Sequence, residues 1–487
     1  MRQVIAVFVL SALLLSGCAP VVTLPAPAMS PDEDVTAATT QVAEHAALQR
    51  VNVPYWADGA PYPSRSIFWF GRVDAYANSA DVRMIYTAHE LKVDVHIIDR
   101  LLYQSGTTGD VDLTQWDAVS VYLNVDGARG GAPTAAAYRF DVQLLQADAP
   151  TISRRAFRGD GRDWVATPVD FTAETSWRGM DGPNAGRDAK GWVANLTIPF
   201  ASLGLTSLPL PGTRWGVALV LHDRDGLDMP VVHTRWPADM DANTPATWGQ
   251  LNFGWYVSRL PGALVPDGVT TIRQGVDGAE VPDAHVGGHG NCGEGLDHWI
   301  EWGEANYPGE TQINIQNQWD IADYPCFSKY FVTFPLDAIP AGTQVVSATV
   351  TLYLFGNAGY EPGDAQPSAI QALTIDEDWN EQTLTWNNAP RARENIALTW
   401  VEPVDGFDPG VPYRWDVSDA AAVAFGAGEP LRLAFYSADG EYHSGKYFWS
   451  SDAAEAVRPR LDVAWRHAPE GAAPGDEGVF LPLLAPP

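Results

Sequence analysis

The sequence predicts an all-β protein made of two tandem antiparallel β-sandwiches of jelly-roll type, and three observations predict it. Short runs rich in β-branched and aromatic residues alternate in polarity with a period of two, clusters of Gly, Pro, Asp and Asn separate them, and stripes of helical spacing are scarce. At 487 residues the chain is too long for one core, since cores stop growing near ~250 to 300 residues.

Taken in order, the chain opens with Met1-Arg2, an apolar run over 4–15, and Leu15-Ser16-Gly17-Cys18. The run is too short to cross a ~30 Å hydrocarbon core and reads as a signal peptide over 1–17. The small residues before Cys18 resemble the lipobox of bacterial lipoproteins. That implies acylation of the Cys18 thiol and an exported, cell-surface protein held to the membrane through its N-terminal lipid alone. An ordinary secretory signal with a chance cysteine is the alternative. Residues 18–49 are rich in Ala, Pro, Thr and Val and bury too little to order themselves, which makes them a flexible stalk. The first sandwich is expected over 50–257, with strands at 93–97, 119–123, 138–142 and 215–221. A Pro/Gly-rich linker over 258–269 follows. The second sandwich is expected over 270–467, with strands at 348–354 and 431–436 and a helix at 419–425. A low-complexity tail over 468–487 ends in an apolar stretch too short to span a bilayer.

Sixty acidic residues against 30 basic ones give a formal charge of −30. Such a field repels nucleic acid and anionic lipid, and it favours a neutral partner over a polyanionic one. A monomer is expected. Besides Cys18 the chain has Cys292 and Cys326, an even pair in an exported protein, so a disulfide is the default. A metal site is the rival because His285, His289 and His298 lie near, although no tetrahedral ligand spacing emerges.

Two resemblances rest on particular motifs. Phe68-Trp69-Phe70-Gly71-Arg72-Val73, Asp81-Val82-Arg83-Met84-Ile85-Tyr86, Trp116-Asp117-Ala118-Val119, Gly191-Trp192-Val193-Ala194-Asn195-Leu196 and Trp248-Gly249-Gln250-Leu251-Asn252-Phe253 resemble a family 9 carbohydrate-binding module over about 50–256. The resemblance implies a sandwich that grips sugars between aromatic faces, with structural calcium in some members. Trp379-Asn380-Glu381-Gln382-Thr383-Leu384-Thr385-Trp386, followed by Pro390, and Tyr447-Phe448-Trp449-Ser450-Ser451 resemble a DNRLRE domain, also classed as carbohydrate-binding module family 96, over about 270–466. That resemblance implies a second polysaccharide-binding sandwich.

A sugar presents flat C–H faces ringed by hydroxyls, so its site needs accessible aromatic rings beside polar groups. Of nineteen Trp, those inside strand motifs (Trp69, Trp116, Trp192, Trp215, Trp248, Trp379 and Trp386) read as packing. Trp56, Trp164, Trp177 and Trp236 lie in polar loop surroundings and are candidate platforms or loop anchors. Trp299 and Trp302, with Asp297 and Glu301 on the other face of a short helix, form either a second platform or a small core under the Cys292–Cys326 loop. Asp223, Asp225 and Asp228 gather three carboxylates on one turn, either a structural Ca2+ site or a plain acidic hairpin, with Asp277 and Asp283 a second guess. Nucleophile elbows, HExxH and phosphate-cradling loops are absent from the sequence. The expected function is therefore non-catalytic polysaccharide binding by tandem modules. A surface adhesin or scaffold for a protein partner is the alternative, and a lyase or hydrolase assembled from His285, His289, His298 and Tyr307 is the third reading.

Overall fold

A computed structural model of the chain describes residues 48–57, 64–106, 111–145, 153–255, 264–288, 292–317, 320–359, 363–405, 410–438 and 442–467, and the counts below refer to these. Cys18, most of the expected stalk, the tail and His289 lie outside them.

The first half contributes β1 (Arg50–Val53), β2 (Ser66–Asp74), β3 (Ala77–Tyr86), β4 (Glu90–Ile98), β5 (Ala118–Asn124), β6 (Ala137–Gln143) and β7 (Arg154–Gly159). It continues with β8 (Trp164–Ala166), β9 (Thr172–Gly179), β10 (Ala189–Pro199), β11 (Arg214–Asp223), β12 (Val232–Trp236) and β13 (Gly249–Phe253). The second half contributes β14 (Gly268–Arg273), β15 (Asp283–Gly287), β16 (Gln312–Ile315), β17 (Ser328–Phe334), β18 (Thr343–Asn357), β19 (Ser368–Ile375) and β20 (Ala392–Val401). After β21 (Val411–Asp416) comes α1 (Ser418–Ala427), over the predicted helical segment, and then β22 (Leu431–Ser437), β23 (Lys446–Trp449) and β24 (Arg460–His467).

Four sheets result. The first outer sheet runs β1-β13-β11-β5-β6-β7-β8, with β12 also on β11, and the first inner sheet runs β2-β3-β4-β10-β9. The second inner sheet runs β15-β17-β22-β19-β20, and the second outer sheet β14-β24-β18-β23-β16, with β21 also on β18. Each half is the predicted sandwich. Val82, Val93, Val121, Phe140, Trp192, Trp215 and Leu219 belong to the core of the first, and Val332, Val350, Leu352, Leu433, Phe435 and Phe448 to that of the second.

A third core lies where the two inner sheets meet. Ile67, Trp69, Ile98 and Val193 from the first half pack with Val286, Phe331, Trp386 and Tyr436 from the second. The period of two explains how one strand serves two cores. In β2, Phe68 and Phe70 enter the sandwich core while Ile67 and Trp69 turn to the other half. The result is a four-layer stack, and the described residues from Leu48 onward form one compact unit.

Polar groups also lock this seam. Lys329 is fully buried with its ammonium 3.1 Å from the Trp386 ring centroid and 4.7 Å from that of Trp69. Burial lowers it to about 7, against the pull of Asp81. The Asp81 carboxylate accepts from Tyr436 Oη at 2.7 Å and Asn317 Nδ2 at 3.2 Å, and Asn317 Oδ1 accepts from Arg83 at 2.7 Å. Farther along, the side-chain amides of Asn52 and Asn395 each donate to the other's backbone carbonyl, at 2.7 and 3.0 Å, and Arg50 pairs with Glu394 at 3.0 Å. Cys292 and Cys326 form the expected disulfide.

Candidate functional site

With the inner faces consumed by the seam, a ligand has the outer faces, the sandwich ends and the clefts between elements. At one end of the first sandwich, Asp99 just after β4, Asp117 just before β5 and Asp223 at the end of β11 bring one carboxylate oxygen each to within 4.8 Å of one another. Register explains the convergence: His222 lies opposite Ala118 across β11 and β5, so the acids flanking them become neighbours. All three are buried. Asp117 accepts backbone N–H groups from Tyr103 at 2.5 Å and Arg224 at 2.8 Å, while Asp99 Oδ2 and Asp223 Oδ1 are buried without a hydrogen-bond partner. Burial, reinforced by neighbouring carboxylates, raises Asp99 and Asp117 well above the usual range and pushes Asp223 up to about 10. Arg224 does not neutralise them, because its guanidinium sits 5.0 Å from the Trp116 ring centroid and donates to the carbonyls of Gln115 and Leu227. Orphaned carboxylate oxygens in a buried cluster match the oxygen ligands of a hard divalent cation.

The structure separates the three carboxylates that the sequence groups on one turn. Asp223 belongs to the cluster, Asp225 is buried beside it and pushed up to about 6, and Asp228 is exposed on the turn outside it. Asp99 and Asp117 were missed, although both end or begin an apolar run, where a sandwich end is expected. Asp283 is no ligand candidate, since its carboxylate already accepts from Tyr330 Oη, Ser451 N and Ser451 Oγ at 2.7 to 2.8 Å.

The outer face of the first outer sheet carries aromatic and charged groups at every second position. Trp164 is half-buried, its ring parallel to Trp248 at 6.2 Å and edge-on to Tyr122 at 5.7 Å. Beside them, Arg139 makes two hydrogen bonds to Asp141, and its guanidinium lies 4.9 Å from the Phe157 ring centroid. Ser120 Oγ donates to Asp141 at 2.6 Å and lies 2.8 Å from His222 Nε2, and His222 Nδ1 lies 2.9 Å from His233 Nδ1. This is not a nucleophile with its base. The Ser120 proton is committed to Asp141, so His222 Nε2–H donates to Ser120 and its Nδ1 accepts from His233. Ser120 is also fully buried.

Burial first, then His233 and two arginines, hold His222 well below 6.5. A histidine depressed by the fold contributes stability above its unfolded pKa and loses it as pH falls below ~6.5. His222→Gln is expected to gain about 1 kcal/mol relative to the native chain between pH 7 and 5.5, read from urea unfolding at the two pH values.

The remaining candidate rings divide by burial. Trp56 is half-buried, with Lys92 5.9 Å from its ring centroid. Trp177 is half-buried on the edge strand β9, packed against the core and capped by Gly182. Trp236 is fully buried, tilted on Phe68 at 4.2 Å, and offers no face to a ligand. Trp299 and Trp302 are buried in the seam core around Tyr324, so the loop tied by Cys292 and Cys326 makes a core and not a platform. Their segment is a turn with Asp297 Oδ1 accepting from Trp299 and Ile300 N–H, followed by a single 3-10 turn over Trp302–Glu304. His285 is buried with its ring 4.9 Å from Tyr307, while His298 is exposed.

On the second outer sheet an aromatic strip was missed from the sequence. Phe355 stacks on Trp449 at 4.2 Å and lies 6.3 Å from Tyr447, and Tyr353 receives a hydrogen bond from Arg273 at 3.1 Å. Tyr353, Tyr447 and Trp449 are half-buried. Their alternation with core residues along β18 and β23 was the available signal.

Residues 297–464 match the model of carbohydrate-binding module family 96. Among solved structures, a family 9 carbohydrate-binding module from Caldicellulosiruptor kristjanssonii in complex with cellotriose aligns at 15% identity. That alignment covers 45% of this chain and 100% of the module, with a TM-score of 0.28. A family 9 module from the same organism with glucose aligns at 14% identity over 44% of this chain and 100% of its own, also at 0.28. No curated protein matches the chain.

Proposed function

We propose that this protein is a non-catalytic, surface-anchored polysaccharide-binding protein, tethered through Cys18 and presenting two sandwiches fused back to back. The observation that carries the reading is the outer face around Trp164, where aromatic rings adjoin Arg139, Asp141 and His233, the pairing of apolar face and polar rim that sugars require. The family 96 match in the second half supports it. The strip of Tyr353, Tyr447 and Trp449, backed by the buried Phe355, is the corresponding face there. The charge of −30 favours a neutral glycan.

Asp99, Asp117 and Asp223 fit a structural Ca2+ ion. The ion would neutralise the cluster and tie the end of β4 in the inner sheet to β5 and β11 in the outer one.

Affinity electrophoresis of the soluble chain in gels containing xylan, hydroxyethylcellulose or alginate tests the reading. Retardation by a neutral glycan, reduced at least fivefold in apparent affinity by Trp164→Ala, is the expected outcome. Unchanged mobility in all three gels would overturn it.

A further inference from the structure

Where the two halves adjoin on the β1 and β20 side, a cleft of about 330 Å3 opens between Trp255, just beyond β13, and the second half. Its other walls are β20 at Ile396–Thr399, β21 at Arg414 and Asp416, and the start of α1 at Ser418–Ala420. The size falls in the ~300 to 1,000 Å3 range of small-ligand sites. Trp255 is half-buried, while Arg414 and Asp416 are exposed.

We propose that this cleft is a composite subsite for a neutral glycan, belonging to neither sandwich alone. Trp255 supplies the apolar wall on which a sugar C–H face stacks. Opposite it, Arg414 offers planar donors, and Asp416 offers a carboxylate held in place because its Oδ1 accepts from Ser418 N at 3.0 Å and from Ser418 Oγ. Arg414 is placed by pairing: its carbonyl accepts from Thr399 Oγ1 at 2.5 Å, and it lies opposite Thr351 across β18 and β21. With Asp416 and Asp419 against one arginine, the cleft rejects uronates and suits hydroxyl-rich neutral sugars. The subsite exists because the halves are locked. Trp255 comes from one and its partners from the other, so their spacing is set by the seam at Asn52–Asn395 and Arg50–Glu394.

The inference rests on the glycan-binding reading, and its test separates the two. Binding isotherms of the whole soluble chain would be recorded against xylan, hydroxyethylcellulose and alginate for the native protein, Trp255→Ala, Trp255→Phe and Arg414→Ala, with thermal melts alongside. The expected result is a tenfold or greater loss of affinity for the bound neutral glycan in Trp255→Ala and Arg414→Ala, substantial retention in Trp255→Phe, and native-like melting. Native binding with both alanine variants within twofold would overturn the subsite and leave the glycan reading standing. Binding of alginate alone would overturn the neutral assignment, and no native binding would overturn both. If Trp255→Ala fails to fold, the exposed Arg414 decides.

Discussion

Trp302→Ala is expected to destabilise the protein by about 3 to 5 kcal/mol, the cost of emptying a Trp-sized site in a packed core. The ring is wholly buried between Tyr324 at 5.1 Å and Trp386 at 4.8 Å, where the two inner sheets meet. Gly293 lies so close that a Cβ there would stand 2.6 Å from the indole, so the surroundings have little room to collapse. Urea unfolding followed by tryptophan fluorescence would read the loss. A change below 1 kcal/mol would mean that the seam does not act as a core.

Chelation of calcium is expected to cost about 4 kcal/mol when the ion had been present at a thousandfold excess over its Kd. The loss has a structural cause: without a cation, Asp99, Asp117 and Asp223 confront one another in a buried cluster with two carboxylate oxygens lacking a protein partner. Thermal melts with calcium and with EDTA would show the difference as a drop of several degrees, and Asp117→Ala should abolish the response to calcium. Identical melting of the native chain in both buffers would remove the ion from the proposal.

Much of the fold was legible because its signal is local. The alternation in 119–123 and 348–354 needs nothing beyond neighbours in sequence to imply strands with one face buried, and both lie in strands of the structure. The site was less legible. Trp236, in a polar stretch, reads as a loop residue, yet its register with Leu219 at the end of β12 drives the ring into the first core. Conversely, Trp449 lies within a strand motif next to the core residue Phe448, yet it is only half-buried.

The strand content, the two-sandwich plan, the charge and the cysteine pair each follow from composition or short-range periodicity. Tertiary structure alone decided that the sandwiches are fused. In β2 the continuous apolar run Ile67-Phe68-Trp69-Phe70 is the mark of a strand buried on both faces, but only the packing shows that Trp69 meets Phe331 and Tyr436 of the other half. The same holds for Asp99, Asp117 and Asp223, and for Trp255 and Arg414. Residues far apart in sequence are brought together through register and sheet stacking, and neither is encoded at any single position.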